Sequence, residues 1–461
     1  RVITVVAADT VIPVILLTGG NQTITIGQAW VEPGYSATDN IDGDITGDVV
    51  VAGDTVDENA IGAYTQTYDV SDAAGNPATQ RTRVITVVAV VEVPTGGSSV
   101  VSIHNGNLAQ GPTKDIEKKA VFVGVCATNV NQTLYLNSQS DLDEALGESD
   151  SELKTQVIAA QQNGGDSWEA YARPVAPSDD WRDEINIVMQ TVSPEIIVIC
   201  TPITDSNDIN EAQIKALSIT SSLSRRVSTC LAAPGIDSGN QTWSEYVSML
   251  AAIITGVAAY RCAVVPQLHG DNLGVLVGRL CRNDVSVADS PMRVSTGPLL
   301  QNWTTPIDRN GVPLTSAVLS ALDDLRFSVP RNYTDFDGIY WSDCNLLDAE
   351  GGDYQVIENL RVVDKVARKL RIILINMIAD RGVNDTQISK SLVKNRLMRP
   401  LREMSKSTVF AGKQFVGEIK APDNNSIFID FPTKNNLVVY LKVRPYNSPK
   451  KIDTFIALDL S

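Results

Sequence analysis

AVFVGVCA, residues 120–127, is an uncharged run between Lys119 and an Asn- and Thr-rich stretch. It is too short for an apolar helix, and its β-branched and aromatic side chains fit a strand buried inside a sheet. The chain on its C-terminal side keeps alternating. LDEALG (142–147) and ELKTQVIAAQQNGG (152–165) have helical spacing and end at glycines, which stop helices by adopting backbone angles other residues avoid. PEIIVICTP (194–202), RVSTCLAAP (226–234) and RCAVVPQ (261–267) are further apolar runs, separated by helical patterns near Glu211–Ser224 and Trp243–Tyr260. Strands alternating with helices predict an α/β unit around a parallel sheet.

This unit lacks the marks of common chemistries. The run at 194–202 leads into TPITDSND, not a glycine-rich phosphate turn, so the dinucleotide and P-loop fingerprints are absent. GDNLGVLVGRLC (270–281) has glycines at the wrong spacing and reads as a closely packed helix. There is no GxSxG elbow. His269 and Asp271 flank Gly270 without an assignable nucleophile, and the acids at Asp323–Asp324 and Asp335–Asp337 read as turns. No catalytic residue, cofactor site or enzyme activity is predicted.

On the N-terminal side the pattern changes. TITI (Thr23–Ile26), DVVVAG around Val50, AYTQTYDV (Ala63–Val70) and RTRVITVV (Arg81–Val88) are strand-like, and TGGNQ, TDNIDGD and DAAGNP are turns. Strands at this spacing, without helical periodicity, predict a small antiparallel sandwich. VEPGYSATDNIDGDIT, the Gly62–Tyr64 stretch with Tyr68, and VSDAAGNPATQRTRVITV resemble the Ig-like repeats of bacterial surface and phage structural proteins, over nearly all of residues 9–90. The hexapeptide RVITVV stands at both Arg1–Val6 and Arg83–Val88, so the first copy is expected to close a preceding repeat. Asp39, Asp42, Asp44, Asp69 and Asp72 are either candidate calcium ligands at one end of the sandwich or turn residues that cap local N–H groups.

Beyond a low-complexity linker, VEVPTGGSS (91–99), and the α/β unit, GDYQVIENLRVVDKVARKLRIILINMIADRG (352–382) predicts a long helix with Asp353 as N-cap and Gly382 as stop. Its apolar positions, Ile357, Leu360, Val363, Ala367, Leu370, Leu374 and Ile378, share a face, with the bases opposite. A second helix, 387–404, is basic and is expected to kink or end near Pro400; Lys390, Lys394, Arg396, Arg399 and Arg402 are its candidate contact surface. The last residues return to strands. In the final run Ile452, Ile456, Leu458 and Leu460 face one way, and SSVVSIHN (98–105) has a similar character, so both ends are expected to pair within the fold or on a neighbour's sheet edge.

Composition sets bounds on these readings. Hydrophobic residues make up 43% and charged residues 20%, as in a globular protein. No apolar run is long enough to span a membrane without charges; the best candidate carries Arg361, Asp364, Lys365, Arg368, Lys369 and Arg371. The net charge of −16 is uneven: residues 1–98 hold 12 acids and 3 bases, residues 365–420 hold 13 bases and 4 acids. Such segregation suits either self-association or simply two solvated faces, and the acidity of the whole chain argues against general nucleic-acid binding. Six cysteines are scattered singly, and His104 and His269 are the only histidines, so no zinc site is expected.

SVVSIHNGNLAQGPTKDIEKKAVFVG, GDSWEAYARPV, LGVLVGRLCRNDVSVADSPMRVSTG, and DGIYWSDCNLLDAEGGDYQVIENLRVVDKVARKLRI with the basic helix after Asn384, resemble the sheath proteins of contractile phage tails and tail-like particles. The resemblance spans about residues 99–461. With the repeated hexapeptide, the Ig-like resemblance and the linker, the expectation is a multidomain chain: 1–8 the end of a preceding repeat, 9–90 an Ig-like β-sandwich, and 91–99 a linker. The remainder is then an α/β and α+β sheath core: 100–180 the first part with an N-terminal arm, 181–300 an α/β subdomain, and 301–461 a C-terminal domain with a terminal arm. The sheath resemblance also implies a helical homo-oligomer around an inner tail tube, held by strand exchange through Val100, Val101, Ile103, Ile452, Ile456, Leu458 and Leu460. Baseplate and tail terminator proteins are the further partners implied, with host surface glycans for an outward Ig-like domain. The implied setting is assembly in the bacterial cytoplasm and residence in the virion tail, without cofactor, direct nucleic-acid binding or membrane insertion. A bacterial surface adhesin with Ig-like repeats and an α/β head is the alternative, and an α/β enzyme with an accessory module a third.

Overall fold

A computed structural model describes residues 9–88 other than 26 and 61, and residues 116–453 other than 411, 412 and 434. They belong to two compact units, 1–106 and 107–461. The first RVITVV copy, the linker, Val100, Val101, Ile103, Ile456, Leu458 and Leu460 lie outside the described residues.

In the first unit, β1 (Val14–Leu17), β3 (Tyr35–Asp39) and β4 (Gly43–Asp44) form one sheet. The second sheet runs β2 (Gln22–Thr25), β7 (Arg81–Val88), β6 (Gly62–Asp69), β5 (Val50–Gly53). Ile15 and Ala37 from one sheet meet Tyr68 of the other and Val70 just beyond its strand, which makes this a sandwich. The pairing departs from the all-antiparallel expectation, because β2 runs parallel to β7. The cause lies between β1 and β2: Gly19 and Gly20, both at positive φ, carry the chain from one sheet to the other without a hairpin. Along β7 the inward positions are Arg83, Ile85 and Val87. Arg83 is fully buried and pairs with Glu32, while donating to the carbonyls of Thr18 at 2.8 Å and Gly34 at 3.1 Å; Tyr68 donates its hydroxyl to Glu32 at 2.6 Å. One guanidinium thus stitches the two sheets together.

The second unit is built on a six-stranded sheet in the order β13-β12-β11-β8-β10-β9. These strands are β8 (Ala120–Val125), β9 (Leu134–Asn137), β10 (Glu169–Val175), β11 (Ile196–Ile199), β12 (Ser228–Ala233) and β13 (Cys262–Pro266), all parallel except the edge strand β9. Strands on either side of residues 180/181 pair in this sheet, so that expected boundary falls inside one structural layer. The helices are α1 (Leu142–Leu146), α2 (Glu152–Gly164), α3 (Trp181–Thr191), α4 (Ser206–Leu223), α5 (Trp243–Ile254), α6 (Asn272–Leu280) and α7 (Ser316–Asp324). Alternate residues of β8 point to opposite cores: Ala120 and Phe122 face α2 and α6, and Val121 and Val123 face α3, α4 and α5. A Cβ on Gly274 would lie 2.0 Å from the Gln156 carbonyl oxygen, and one on Gly278 2.5 Å from that of Ala160. The two α6 glycines therefore let α6 lie directly on the α2 backbone.

After the hairpin β14 (Pro330–Tyr333) and β15 (Phe336–Trp341) come α8 (Ile357–Ile375), α9 (Gln387–Met404) and the hairpins β16 (Thr408–Phe410)–β17 (Lys413–Phe415) and β18 (Ile427–Thr433)–β19 (Asn436–Leu441). Ile357 and Leu360 of α8 pack beneath the sheet, whereas Val362, Val366 and Leu370 form a third core with Val393, Leu397 and Leu401 of α9 and with Ile427 and Ile429. Helix α8 is therefore shared by two cores.

Several expectations are corrected. The N-cap position of α8 is Val356, not Asp353, and the helix stops at Ile375, short of Gly382. Arg361 and Asp364 are buried, and Ile378, beyond the helix end, is exposed. Pro400 sits inside α9 and is buried, so it does not end the helix.

Glu32→Ala strands the Arg83 charge and is expected to cost about 3 kcal/mol. In thermal unfolding of the full chain, the sandwich transition should fall by more than about 10 °C. Glu32→Gln, which keeps the hydrogen-bond acceptor, should cost clearly less.

Candidate assembly surfaces and the joint behind them

Helix α8 is tied to the sheet by ions and not only by apolar packing. Arg361 meets Glu195, just before β11, through two contacts: Nε to Oε1 at 2.9 Å and Nη2 to Oε2 at 2.8 Å. Their side chains are only 2% and 3% exposed. One turn on, Asp364 accepts from Arg261 at 2.8 and 3.2 Å and from Arg226 at 3.3 Å; a further turn on, Arg368 pairs with Glu117 at 2.8 Å. Burial alone would push the Glu195 carboxyl up, but Arg361, Arg368 and the Lys118 N–H together hold it down to about 2. Buried partners of this kind make geometry demanding: either member left alone is a desolvated charge.

On the far side of α8 the exposed face of α9 is mixed. Ile388 and Leu392 are 76% and 56% exposed near its start, and Arg396, Arg399 and Arg402 follow toward its end. Arg399 makes an exposed pair with Glu403 four residues on, at 3.0 Å, an arrangement that contributes little. The other two members of the expected basic surface are engaged: Lys390 sits over the Phe431 ring at 5.6 Å, and Lys394 donates to the Asn424 carbonyl. The outward basic surface is thus narrower than the sequence suggested and has an apolar neighbour.

Beside α9 lie the two C-terminal hairpins. Each is a two-stranded sheet whose outer edges have no partner strand among the described residues. Ile427 and Ile429 of β18 point into the third core, while Phe428 and Tyr440, opposite each other in register with ring centroids 5.9 Å apart, point outward. Val409 of β16 and Val416, which follows β17, are exposed as well. Unpaired N–H and C=O groups beside outward apolar side chains are what an added strand needs. Ile452, expected in the terminal arm, is exposed and lies in no strand.

In the sandwich, three of the five candidate calcium ligands converge. Carboxylate oxygens of Asp39, Asp42 and Asp72 lie within 4.8 Å of one another and of Asp9, which sequence reading missed because it precedes the first strand. Asp44 and Asp69 do not join them: Asp44 accepts from the Thr46 N–H at 3.0 Å and Asp69 from the Gln80 side chain at 2.8 Å. The convergent acids cap turns. Asp39 accepts from Ile41 and Asp42, Asp42 from Ala73, and Asp72 from both nitrogens of Asn76.

His269 and Asp271 form no charge relay. The imidazole stacks on Trp303 at 4.2 Å, its Nδ1 lies 3.2 Å from the Asn272 amide, and burial holds it down to about 4. Asp271 accepts from the Trp303 indole N–H. All six cysteines are free and buried, and burial pushes the Cys281 thiol up to about 12, far from a reactive thiolate.

The family model "DUF2586, N-terminal domain" matches residues 99–345, "DUF2586, C-terminal domain" matches 353–461, and "Bacterial surface protein, Ig-like domain" matches 15–87. A protein of Haemophilus phage HP1 named "Putative tail sheath protein" is 43% identical over 369 residues, covering 78% of this chain and 98% of that protein. Among solved structures, the helical sheath of the anti-feeding prophage in its contracted state is 13% identical, with a TM-score of 0.47 over 80% of this chain and 100% of that one. A sheath tail protein from Desulfitobacterium hafniense is 8% identical, with a TM-score of 0.45 over 75% of this chain and 96% of that one.

A carboxyl held below its ordinary value contributes stability above that ordinary value and loses it as pH falls toward the folded one. For Glu195 the window runs from 4.5 down to about 2 and is worth about 3 kcal/mol. Glu195→Gln should therefore lower the urea midpoint markedly at pH 7, and the gap to wild type should narrow by pH 3. A gap that is unchanged with pH would show that the pair does not carry this stability.

Proposed function

This chain belongs to the DUF2586 family of tail sheath proteins and carries an Ig-like domain ahead of the sheath core, and we propose that it polymerises helically around an inner tail tube and contracts to drive that tube through a host envelope. The observation that carries the assembly half of this reading is the pair of open-edged hairpins, β16–β17 and β18–β19, at the end of the core. Segments flanking the sheath core, Val100–Ile103 and Ile452–Leu460, have the length to add as strands to such edges on neighbouring copies. Backbone pairing of this kind keeps subunits linked while they rotate and slide.

The remaining surfaces fit the same reading. The outward face of α9, apolar then basic, is suited to a partner with an acidic rim, either the tube or the acidic part of a second copy. Contraction draws on two packings of the same subunits that differ in free energy, so the chain needs neither nucleotide nor catalytic residues. The Ig-like domain sits outside the tube, as spacer or as a weak binder of surface glycans, and the ends of the assembly meet baseplate and terminator proteins. Assembly in the bacterial cytoplasm delivers the protein to the virion tail.

Negative-stain microscopy of the full-length chain and of a variant lacking Ile452–Ser461 tests this directly. The expected outcome is hollow tubes from the full-length protein and dispersed subunits from the deletion. Dispersed subunits from the full-length chain at high concentration would contradict the sheath function, and tubes from the deletion would move strand exchange to another segment.

A further inference from the structure

Between Tyr446 and Asp453 the chain has neither helix nor strand, and every residue is exposed except Lys450. Among the described residues no backbone hydrogen bond joins residues 447–453 to the core; the last such tie belongs to the Ile419–Pro445 bridge, where Lys420 N–H meets the Arg444 carbonyl at 2.8 Å. The strap lies along a groove of about 900 Å³ whose other walls include Arg293, Arg331 and Phe415. Lys450 reaches out of it into a socket of two carboxylates. Its ammonium pairs with Asp343 and lies 2.8 Å from Glu358 Oε1. Both acids are almost buried, with side chains 11% and 8% exposed. Asp343 is held in place by the Ser290 hydroxyl at 3.1 Å and the Cys344 N–H at 2.9 Å, whereas Glu358 Oε2 has no partner. Pro449 restricts the backbone just before the lysine and so aims it.

We propose that Lys450 is a detachable anchor that holds the Tyr446–Asp453 strap to the core and sets the point from which the C-terminal segment leaves it. The proposal rests on the strand-exchange reading above and deepens it. The socket is specific because two neighbouring buried carboxylates need a cation, and the ammonium is the one that the strap brings. Among the described residues Lys450 makes the strap's only ion pairs to the core, so loss of that one side chain releases it. Release frees residues 446–450 and lengthens the reach of the C-terminal segment by about 17 Å, at roughly 3.4 Å per extended residue. A sheath whose subunits change spacing while staying linked needs slack of that kind.

The test uses the full-length chain with Ser295→Cys and Ser448→Cys. Both serines are exposed, and all native thiols are buried, so spin labels attach selectively. Distances between the labels are measured in this background and with Lys450→Met, Lys450→Arg, or Asp343→Asn together with Glu358→Gln. The anchor requires one narrow distribution in the background, and widening by about 10 Å or more both with Met and in the double variant. Arginine, which keeps the cation, should restore the narrow distribution. A distribution that stays narrow with Lys450→Met, or is already broad in the background, overturns the proposal. Tube formation is scored on the same background sample. Its absence overturns the sheath reading and the reach argument together, whereas tubes with unchanged distances in Lys450→Met overturn the anchor alone.

Discussion

The second unit depends on one contact, the two-pronged pair of Arg361 with Glu195. Helix α8 serves the core beneath the sheet with its first turns and the core against α9 with its later ones. Apolar packing alone would let such a helix rotate or slide by a fraction of a turn at small cost. A guanidinium matched to a carboxylate, both out of water, does not allow this, since a small displacement leaves two desolvated charges. Asp364 with Arg261 and Arg368 with Glu117 repeat the constraint at the next two turns. Helix α9 and the β18–β19 hairpin, which pack on α8, take their orientation from that row. The first turn of the same helix carries Glu358, half of the socket for Lys450, so the joint to the sheet and the strap share one rigid element.

The strands of the α/β unit were legible in the sequence because burial on both faces leaves no room for charge, and runs such as Ala120–Val125 and Ile196–Ile199 show it. The orientation of α8 was not. Its apolar residues do follow a helical period, and the bases between them read as a solvent face. Arg361 and Asp364 are buried because their partners stand 166 and 103 residues away, a distance that no local pattern encodes. The same limit applies elsewhere. Asp9 joins Asp39, Asp42 and Asp72 only through the tertiary fold, and the parallel pairing of β2 with β7 depends on where two glycines send the chain. Pro400 signals a break in isolation, yet it is accommodated within α9, whose buried side packs against α8.

Of the expected surface residues, Arg396, Arg399 and Arg402 stay outward, and Lys390 and Lys394 are drawn into local contacts with Phe431 and Asn424. What the sequence did not announce is the apolar lead-in of Ile388 and Leu392 on the same helix face. A surface of this kind combines steering by charge with an area that gains from being covered. It lies in the same C-terminal third as the two hairpins whose outer edges have no partner strand among the described residues, while the acidic sandwich has its own core and its own buried Arg83–Glu32 lock.

The most direct measurement is a helical reconstruction of tubes assembled from the full-length chain, at a resolution that traces backbone between subunits. The expected result is strands from neighbouring copies hydrogen-bonded to the outer edges of β16–β17 or β18–β19. Tubes in which both hairpin edges face solvent, with subunits joined only through side chains, would contradict it.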